Sequence, residues 1–205
     1  MNPITKDYES AIDQIKNGGA VALPTDTAYC LAADINIDRA VKKVFEIKKR
    51  PFDKALPVFL PNKKALTVVA SDIPDIGWQL AEAFWPGGLT LILKKHPSLL
   101  RLAIAGGNTL AVRVPDHYIP LDIINSIGSP ITGTSANISN QNSPTTAGEV
   151  YGQIGGRVDM IVDGGKCPKA ELSTIVDLTG IIPKIRRDGA ISREQIEEVC
   201  KLPLG

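Results

Sequence analysis

The chain has 205 residues, enough for one substantial core, and its 43% hydrophobic and 22% charged content is that of an ordinary globular protein. Lys and Arg number 23 against 22 Asp and Glu, which leaves a net charge of +1. This balance excludes an overall attraction to nucleic acid or to a membrane surface, so any basic site must be local.

Hydrophobic periodicity predicts alternating helices and strands. Helical spacing with capping or stop signals predicts helices over 8–17, 76–84 and 119–128, and another from an N-cap at Asp38 to the residues before Pro51. Capping boxes at Thr146/Glu149 and Ser192/Gln195 predict the starts of two more helices. Short apolar runs predict strands over 20–23, 55–60, 89–95, 109–114, 158–165, 173–179 and 183–187. The pattern predicts a single α/β domain over residues 1–205, built on one twisted mixed sheet.

Residues 131–146 (ITGTSANISNQNSPTT) are rich in Ser, Thr and Asn and carry no charge. The segment could be a linker, an N-glycan acceptor at Asn137-Ile138-Ser139, or a loop that holds a polar ligand. A strand-like pattern precedes it and a capped helix follows at once, which disfavours a linker. We therefore expect a loop inside the domain.

Cysteine usage and the N-terminal residues bear on the compartment. Cys30, Cys167 and Cys200 are widely spaced and form no C-x-x-C motif, which is typical of reduced thiols. The first residues lack the apolar core of a signal peptide, and no apolar run approaches the roughly 18 residues of a membrane-spanning helix. We expect a cytoplasmic protein without membrane contact, which removes the premise of glycosylation.

Several kinds of site are disfavoured by missing motifs. His96 and His117 each lie beside a proline and are expected at the surface, and no acid-rich cluster accompanies them, so the protein is expected to supply no metal ligands. No G-x-S-x-G elbow, P-loop or G-x-G-x-x-G fingerprint is present.

Polar residues instead follow several strand patterns, where ligands of α/β sheets commonly bind. They are the PTDT of 24–27, the KKRPFDK of 48–54, Arg113, the TSAN of 134–137, and Arg186-Arg187. Each alone has a plain structural explanation: a solvated helix end, an arginine facing water or held by an acid, an ordinary turn. Together, cations with hydroxyl and amide donors predict a small anionic ligand.

Eight motifs in one order resemble the YrdC/TsaC family of threonylcarbamoyl-AMP synthases, from about Ala20 to the turn after Arg187. They are PTDTAYCLAAD, the K-x-R of Lys48 and Arg50, RPFDKALPV, WPGGLTLIL, LAVRVP, TSANISNQNSPTT, VDMIVDGG and LSTIVDLT. The resemblance implies a YrdC-like fold, with helices and a twisted sheet around a concave, positively lined cavity. It also implies a nucleotidyltransferase reaction in which L-threonine, bicarbonate and ATP, with Mg²⁺ on its phosphates, give threonylcarbamoyl-AMP and pyrophosphate. The product would pass to tRNA threonylcarbamoyltransferase proteins for tRNA modification, and direct contact with tRNA stays open.

The resemblance also implies roles for individual residues. The catalytic K-x-R and S-x-N set corresponds to Lys48, Arg50, Ser135 and Asn137. ATP contacts would fall on Arg50, Lys54, Thr109, Ser135, Ser143 and Arg187. L-threonine contacts would fall on Thr27, Arg113, Gly133 and Ser173, with Arg113 as partner of the carboxylate.

The chain departs from the family pattern at three places that bear on the site. Cys30 replaces a glycine, and would be strained if that position needed a positive φ. Leu172 replaces a glutamate before Ser173, which could alter the threonine end. Some relatives carry a further C-terminal domain over the cavity, so we interpret this chain, ending at Gly205, as a short form closed by other means.

Other functions stay open beside the synthase. One is an RNA-binding module for tRNA or double-stranded RNA, which near-neutral charge and few aromatic residues disfavour. Another is a diverged paralogue with a different substrate, or a maturation factor handling a carbamoyl-adenylate. The K-x-R and S-x-N sets favour the synthase, and the lack of extra zinc-finger-like cysteines disfavours the maturation factor.

Overall fold

Helices and strands alternate along the chain in the computed structural model, which describes residues 3–98, 105–168, 171–201 and 204–205. The helices are α1 (Glu9–Lys16), α2 (Asp38–Lys48), α3 (Leu66–Val69, after a 3₁₀ turn at Lys63–Ala65), α4 (Asp75–Phe84), α5 (Tyr118–Ile127), α6 (Ala147–Ile154) and α7 (Arg193–Cys200). The strands are β1 (Ile4–Thr5), β2 (Val21–Leu23), β3 (Cys30–Ala32), β4 (Val58–Phe59), β5 (Leu89–Lys94), β6 (Thr109–Arg113), β7 (Ile131–Thr132), β8 (Thr134–Ser135), β9 (Met160–Val162), β10 (Thr174–Asp177) and β11 (Lys184–Arg187).

The strands divide into two mixed sheets in the described residues, so the expectation of one sheet was wrong. The first has the order β1-β9-β2-β3-β8 and the second β11-β10-β5-β6-β4-β7. The division arises at Gly133, because β7 just before it pairs with β4 whereas β8 just after it pairs with β3. A side chain at this position would collide with the Phe59 ring, which lets only glycine make the crossing without rearrangement.

Strand alternation distributes the apolar side chains over two clusters. In β2, Ala22 belongs to the larger cluster, while Val21 and Leu23 point to the opposite face and join the smaller one. Helices α1 and α5 contribute Ala11 and Ile123 to the smaller cluster. The described residues thus form one α/β domain, which confirms the predicted fold class, and within them no helix is long and apolar enough to cross a membrane.

Helix ends agree with the sequence in part. Ser192 and Gln195 form the full predicted capping box of α7. Thr146 accepts from the backbone N–H of Glu149, but the Glu149 carboxylate accepts from Thr145 rather than completing the box. Asp38 was predicted as an N-cap and is instead the first residue of α2, where its charge still faces the positive end of the helix dipole.

Strand β3 was not predicted. Its three residues, Cys30–Ala32, are all buried and show no alternation with polar residues that would distinguish a strand. It nevertheless matters for the site, because it pairs with β2 on one edge and with β8 on the other, and its Cys30 lines the cavity described below.

Candidate functional site

A cavity of about 540 Å³ lies between the two sheets. Strands β3 and β8 line it from the first sheet, and β5, β6, β10 and β11 from the second. The residues after α2 and the loop over 137–143 complete its wall. Four cationic side chains and none of the described Asp or Glu residues are among those that line it, so its charge favours an anion.

Most residues singled out from the sequence converge on this cavity. Those that line it are Thr27, Lys48, Arg50, Thr109, Arg113, Gly133, Ser135, Asn137, Ser143, Ser173 and Arg187. Lys54 does not: its side chain is exposed, and its backbone carbonyl accepts a hydrogen bond from Arg50 Nε at 2.9 Å. Of the predicted set, Lys54 is thus the residue that does not line the cavity, and its backbone holds Arg50.

Arg113 is held by an acid rather than facing water, which settles the alternatives left by the sequence. The residue is 4% exposed, and its guanidinium forms an ion pair with Asp26, with 2.6 Å between Nη2 and Oδ1. Nη1 donates to Thr27 Oγ1 at 2.9 Å and Nε to the Gly87 carbonyl at 2.8 Å. The cation also lies 5.6 Å from the centre of the Phe59 ring. Two of its five N–H groups stay available to a ligand.

Arg187 lies close enough to Arg113 for the two charges to repel. Although the residue is exposed, partial burial of its guanidinium, and next the charge of Arg113, lowers the pKa of Arg187 below its usual value. Its position is fixed by Ser173, whose carbonyl and Oγ accept from Nη2 at 2.8 and 3.0 Å. Ser173 Oγ in turn lies 2.8 Å from Thr90 Oγ1. An anion bound between the two arginines would relieve this repulsion.

Lys48 is turned inward and joins α2 to the loop after β8. The residue is 2% exposed, and its ammonium donates to the carbonyls of Ser135 and Asn137 and to Asn137 Oδ1. Burial, and next the Arg50 guanidinium, lowers the pKa of Lys48 to about 7. The three oxygens act in the opposite direction, since only the charged form has three protons to donate. The Asn137 side chain also accepts from Ser135 Oγ and donates to the Gln141 carbonyl, both at 2.6 Å.

Cys30 is not strained. It lies in strand β3, paired with Leu23 and Ser135, and its φ is not positive. Burial, and next the nearby Cys167, raises the pKa of its thiol to about 12. The thiol is therefore an uncharged packing group in the cavity wall. Leu172 also lines the cavity, and its carbonyl accepts from the Ala190 N–H at 2.9 Å.

Thr25 and Ser139 are among the polar lining residues that sequence reasoning missed. Thr25 Oγ1 accepts from the backbone N–H groups of Thr27 and Ala28, and so fixes the turn that carries Asp26. Its position in PTDT marked the segment but not this role. Ser139 also lines the cavity, and its Oγ is buried without a hydrogen-bond partner. Such a group costs about 1–3 kcal/mol, and nothing in the sequence distinguishes it from its neighbours.

The histidines are not simple surface residues. His117 is half-buried and caps α5, because its Nδ1 accepts from the Ile119 N–H at 3.2 Å. His96 is also half-buried, with Nδ1 2.6 Å from Ser98 Oγ. Within the described ranges, no group of three or more His, Cys, Asp or Glu residues could hold a metal ion.

Fold and site together define an α/β protein with a cationic, hydroxyl-lined cavity between two mixed sheets. The family model for Sua5/YciO/YrdC, described as telomere recombination, matches residues 13–189. The chain belongs to this family, which confirms the resemblance seen in the sequence.

Its relatives include two proteins named threonylcarbamoyl-AMP synthase. One, from Pyrococcus abyssi, is 41% identical over 185 residues, which are 90% of this chain and 54% of the relative. The other, from Bacillus subtilis, is 39% identical over 186 residues, again 90% and 54%. A solved structure of P. abyssi Sua5 complexed with L-threonine has a TM-score of 0.92 at 39% identity, covering 97% of this chain and 58% of that one. The chain thus spans about half the length of these relatives.

Proposed function

We propose that this protein is a threonylcarbamoyl-AMP synthase that uses L-threonine, bicarbonate and ATP. The main support is the cavity, in which Lys48, Arg50, Arg113 and Arg187 meet and no described carboxylate takes part in the lining. This charge suits the phosphates of ATP and the carboxylate of an amino acid. The names of the relatives and the threonine complex of P. abyssi Sua5 support the choice of substrates.

L-threonine binds at the deep end of the cavity. Thr27, Arg113 and Ser173 are buried there, whereas Gly133 is half-buried beside the Phe59 ring. The two free N–H groups of Arg113 receive the carboxylate. Because Asp26 and Thr27 fix the guanidinium beforehand, little conformational freedom is lost on binding.

ATP binds towards the mouth. Thr109 and Arg187 are exposed there, and Arg50, Ser135 and Ser143 are half-buried. Arg50 uses two of its five N–H groups on the carbonyls of Lys54 and Ala55, so three can reach phosphate oxygens. Lys54 contributes by moving its exposed side chain towards the phosphates. Mg²⁺ arrives with ATP.

The reaction needs positioning and charge stabilisation rather than a protein nucleophile. The amine of threonine and bicarbonate form a carbamate and release water. A carbamate oxygen then attacks the α-phosphorus in line, and pyrophosphate leaves. Arg50 and Arg187 stabilise the negative charge, while Lys48 and Asn137 hold the loop of Ser135 in place. Partial exclusion of water by the cavity protects the carbamate.

The product serves tRNA modification. We expect it to pass to a tRNA threonylcarbamoyltransferase in the cytoplasm, where three buried cysteines that are all free are compatible with a reducing environment. Direct contact between tRNA and this chain is tested by measuring tRNA binding beside the activity assay described next.

Pyrophosphate release from ATP and bicarbonate, measured with and without L-threonine, tests the proposal. We expect release that depends on threonine and a product with the mass of threonylcarbamoyl-AMP. Arg50→Ala and Ser135→Ala should each lower the rate by about 100-fold or more, because each removes a group that contacts the nucleotide during transfer. The matched control is Arg157→Ala, since Arg157 is exposed and does not line the cavity.

Pyrophosphate release that is the same with and without L-threonine would contradict the proposed synthase activity. Tight tRNA binding without turnover would instead favour the RNA-binding alternative. Full activity of both cavity variants would contradict the assignment of the site.

A further inference from the structure

Ser139 has a buried hydroxyl that the protein itself does not satisfy. Among the described residues, only Ser139 Oγ and Gln153 Oε1 are buried side-chain polar atoms without a hydrogen-bond partner. Gln153 does not line the cavity, whereas Ser139 does. Native proteins leave few such groups, so a buried hydroxyl without a partner at a cavity wall calls for an explanation, and a bound ligand can supply the missing partner.

The backbone around Ser139 is fixed, so the orphan hydroxyl is not the result of a loosely placed loop. The Ser139 N–H donates to the Lys48 carbonyl at 2.9 Å. Two residues away on either side, Asn137 Nδ2 donates to the Gln141 carbonyl at 2.6 Å, which closes the loop. The freedom that remains is rotation about χ1, which for serine has three staggered positions.

The position of Ser139 identifies the ligand it would meet. It lies in the chain between Ser135 and Ser143, and its backbone is tied to the end of α2, two residues before Arg50. Ser135, Ser143 and Arg50 belong to the proposed nucleotide end, and of the proposed threonine contacts only Gly133 lies in the same stretch of chain. Lys48 donates its three ammonium protons to protein oxygens, so it has none left for the Ser139 hydroxyl, whose own O–H remains free to donate.

We infer that the Ser139 hydroxyl turns into the cavity when ATP binds and donates a hydrogen bond to an oxygen of the nucleotide. The inference rests on the proposed function. It makes Ser139 a nucleotide-binding residue beyond the set deduced from the sequence. The hydroxyl destabilises the ligand-free protein and gains its partner only in the complex.

The variant Ser139→Ala separates these two effects because they have opposite signs. In the ligand-free protein, loss of an unsatisfied hydroxyl should raise Tm by about 2–4 °C. The Kd for ATP, measured by calorimetry, should rise about tenfold, because a hydrogen bond to a charged acceptor is lost. The Kd for L-threonine should not change.

Ser71→Ala is the matched control. Ser71 Oγ donates to the Lys95 carbonyl at 3.0 Å and lies outside the cavity lining, so this variant should lower Tm and leave both Kd values unchanged. A hydroxyl with a merely structural role would follow the pattern of Ser71.

The outcomes distinguish the inference from the proposed function. If the wild type binds no ATP, the proposed function fails and the inference falls with it. If the wild type binds ATP and Ser139→Ala binds it equally well, the inference is overturned while the proposed function stands. A lowered Tm of the ligand-free variant, or weakened binding of threonine instead of ATP, would also overturn it.

Discussion

Lys48 shows how folding changes the role of a residue that the sequence marks only as part of a basic run. In KKRPFDK it resembles a solvated helix end, and the K-x-R motif implies a catalytic group. In the fold all three ammonium protons point at protein oxygens of the Ser135–Asn137 loop. We therefore interpret Lys48 as a positioning residue, which acts on the substrate through that loop.

The buried ammonium makes stability depend on pH. Its pKa is about 7 in the folded protein, against roughly 10.4 for a lysine in an unfolded chain. Below pH 7 both states are protonated, and the cost of burying the charge is present in full. Between these two values the unfolded chain binds more protons, so the free energy of unfolding rises with pH, by up to about 1.4 kcal/mol per pH unit.

Lys48→Met removes this dependence. The unfolding free energy of the wild type minus that of the variant, from urea titrations at pH 6 to 9, should increase above pH 7. A difference that stays constant would show that the three oxygens keep Lys48 charged throughout this range.

At the scale of elements, the turn between β2 and β3 of the first sheet contacts the second sheet through an ion pair. It carries Asp26, whose carboxylate neutralises Arg113 on β6 of the other sheet. Thr25 Oγ1 accepts from two backbone N–H groups of the turn, so the backbone that carries the Asp26 side chain is held in place. The same contact prepares the proposed threonine site.

Asp26→Asn should therefore destabilise the protein and weaken threonine binding together. Removing one partner of a buried ion pair leaves the other charge uncompensated, which costs about 3–5 kcal/mol. Urea unfolding and calorimetry with L-threonine measure the two effects. The control is Asp13→Asn, on the exposed face of α1. A variant as stable as this control would contradict the structural role of the ion pair.

At the scale of the whole molecule, the cavity lies where the two sheets face each other, so its shape depends on both. Residues of β2 and β3 contribute to both apolar clusters, so the two clusters share the same strands and we expect them to unfold together. The single domain over 1–205 remains a prediction that unfolding can test.

We expect one cooperative thermal transition, coincident in circular dichroism at 222 nm and in tryptophan fluorescence. Because ligands bind only the folded state, ATP at about 100 times its Kd should add roughly 2.7 kcal/mol of stability and raise Tm. Two separate transitions would show that the sheets unfold as independent units.

The predictable part of this protein was its local structure. Helical periodicity located α1, α2, α4 and α5, and turn and cap residues marked their ends. Strand β3 was not predicted, because three consecutive buried residues show no hydrophobic periodicity. Of the twelve site residues predicted from the motifs, eleven line one cavity, and Lys54 is the exception.

The amino-acid sequence by itself determined most of the helices and the longer strands, the fold class and the family, because periodicity, caps and ordered motifs depend on residues that are close in the chain. Only the tertiary structure decided which acid holds Arg113, 87 residues away, and which oxygens hold Lys48, up to 89 residues away. It also decided that Gly133 divides the sheets, that Cys30 is unstrained and that Ser139 lacks a partner. The physical reason is that charge neutralisation, burial and hydrogen-bond satisfaction depend on groups that meet only when the two sheets close around the cavity.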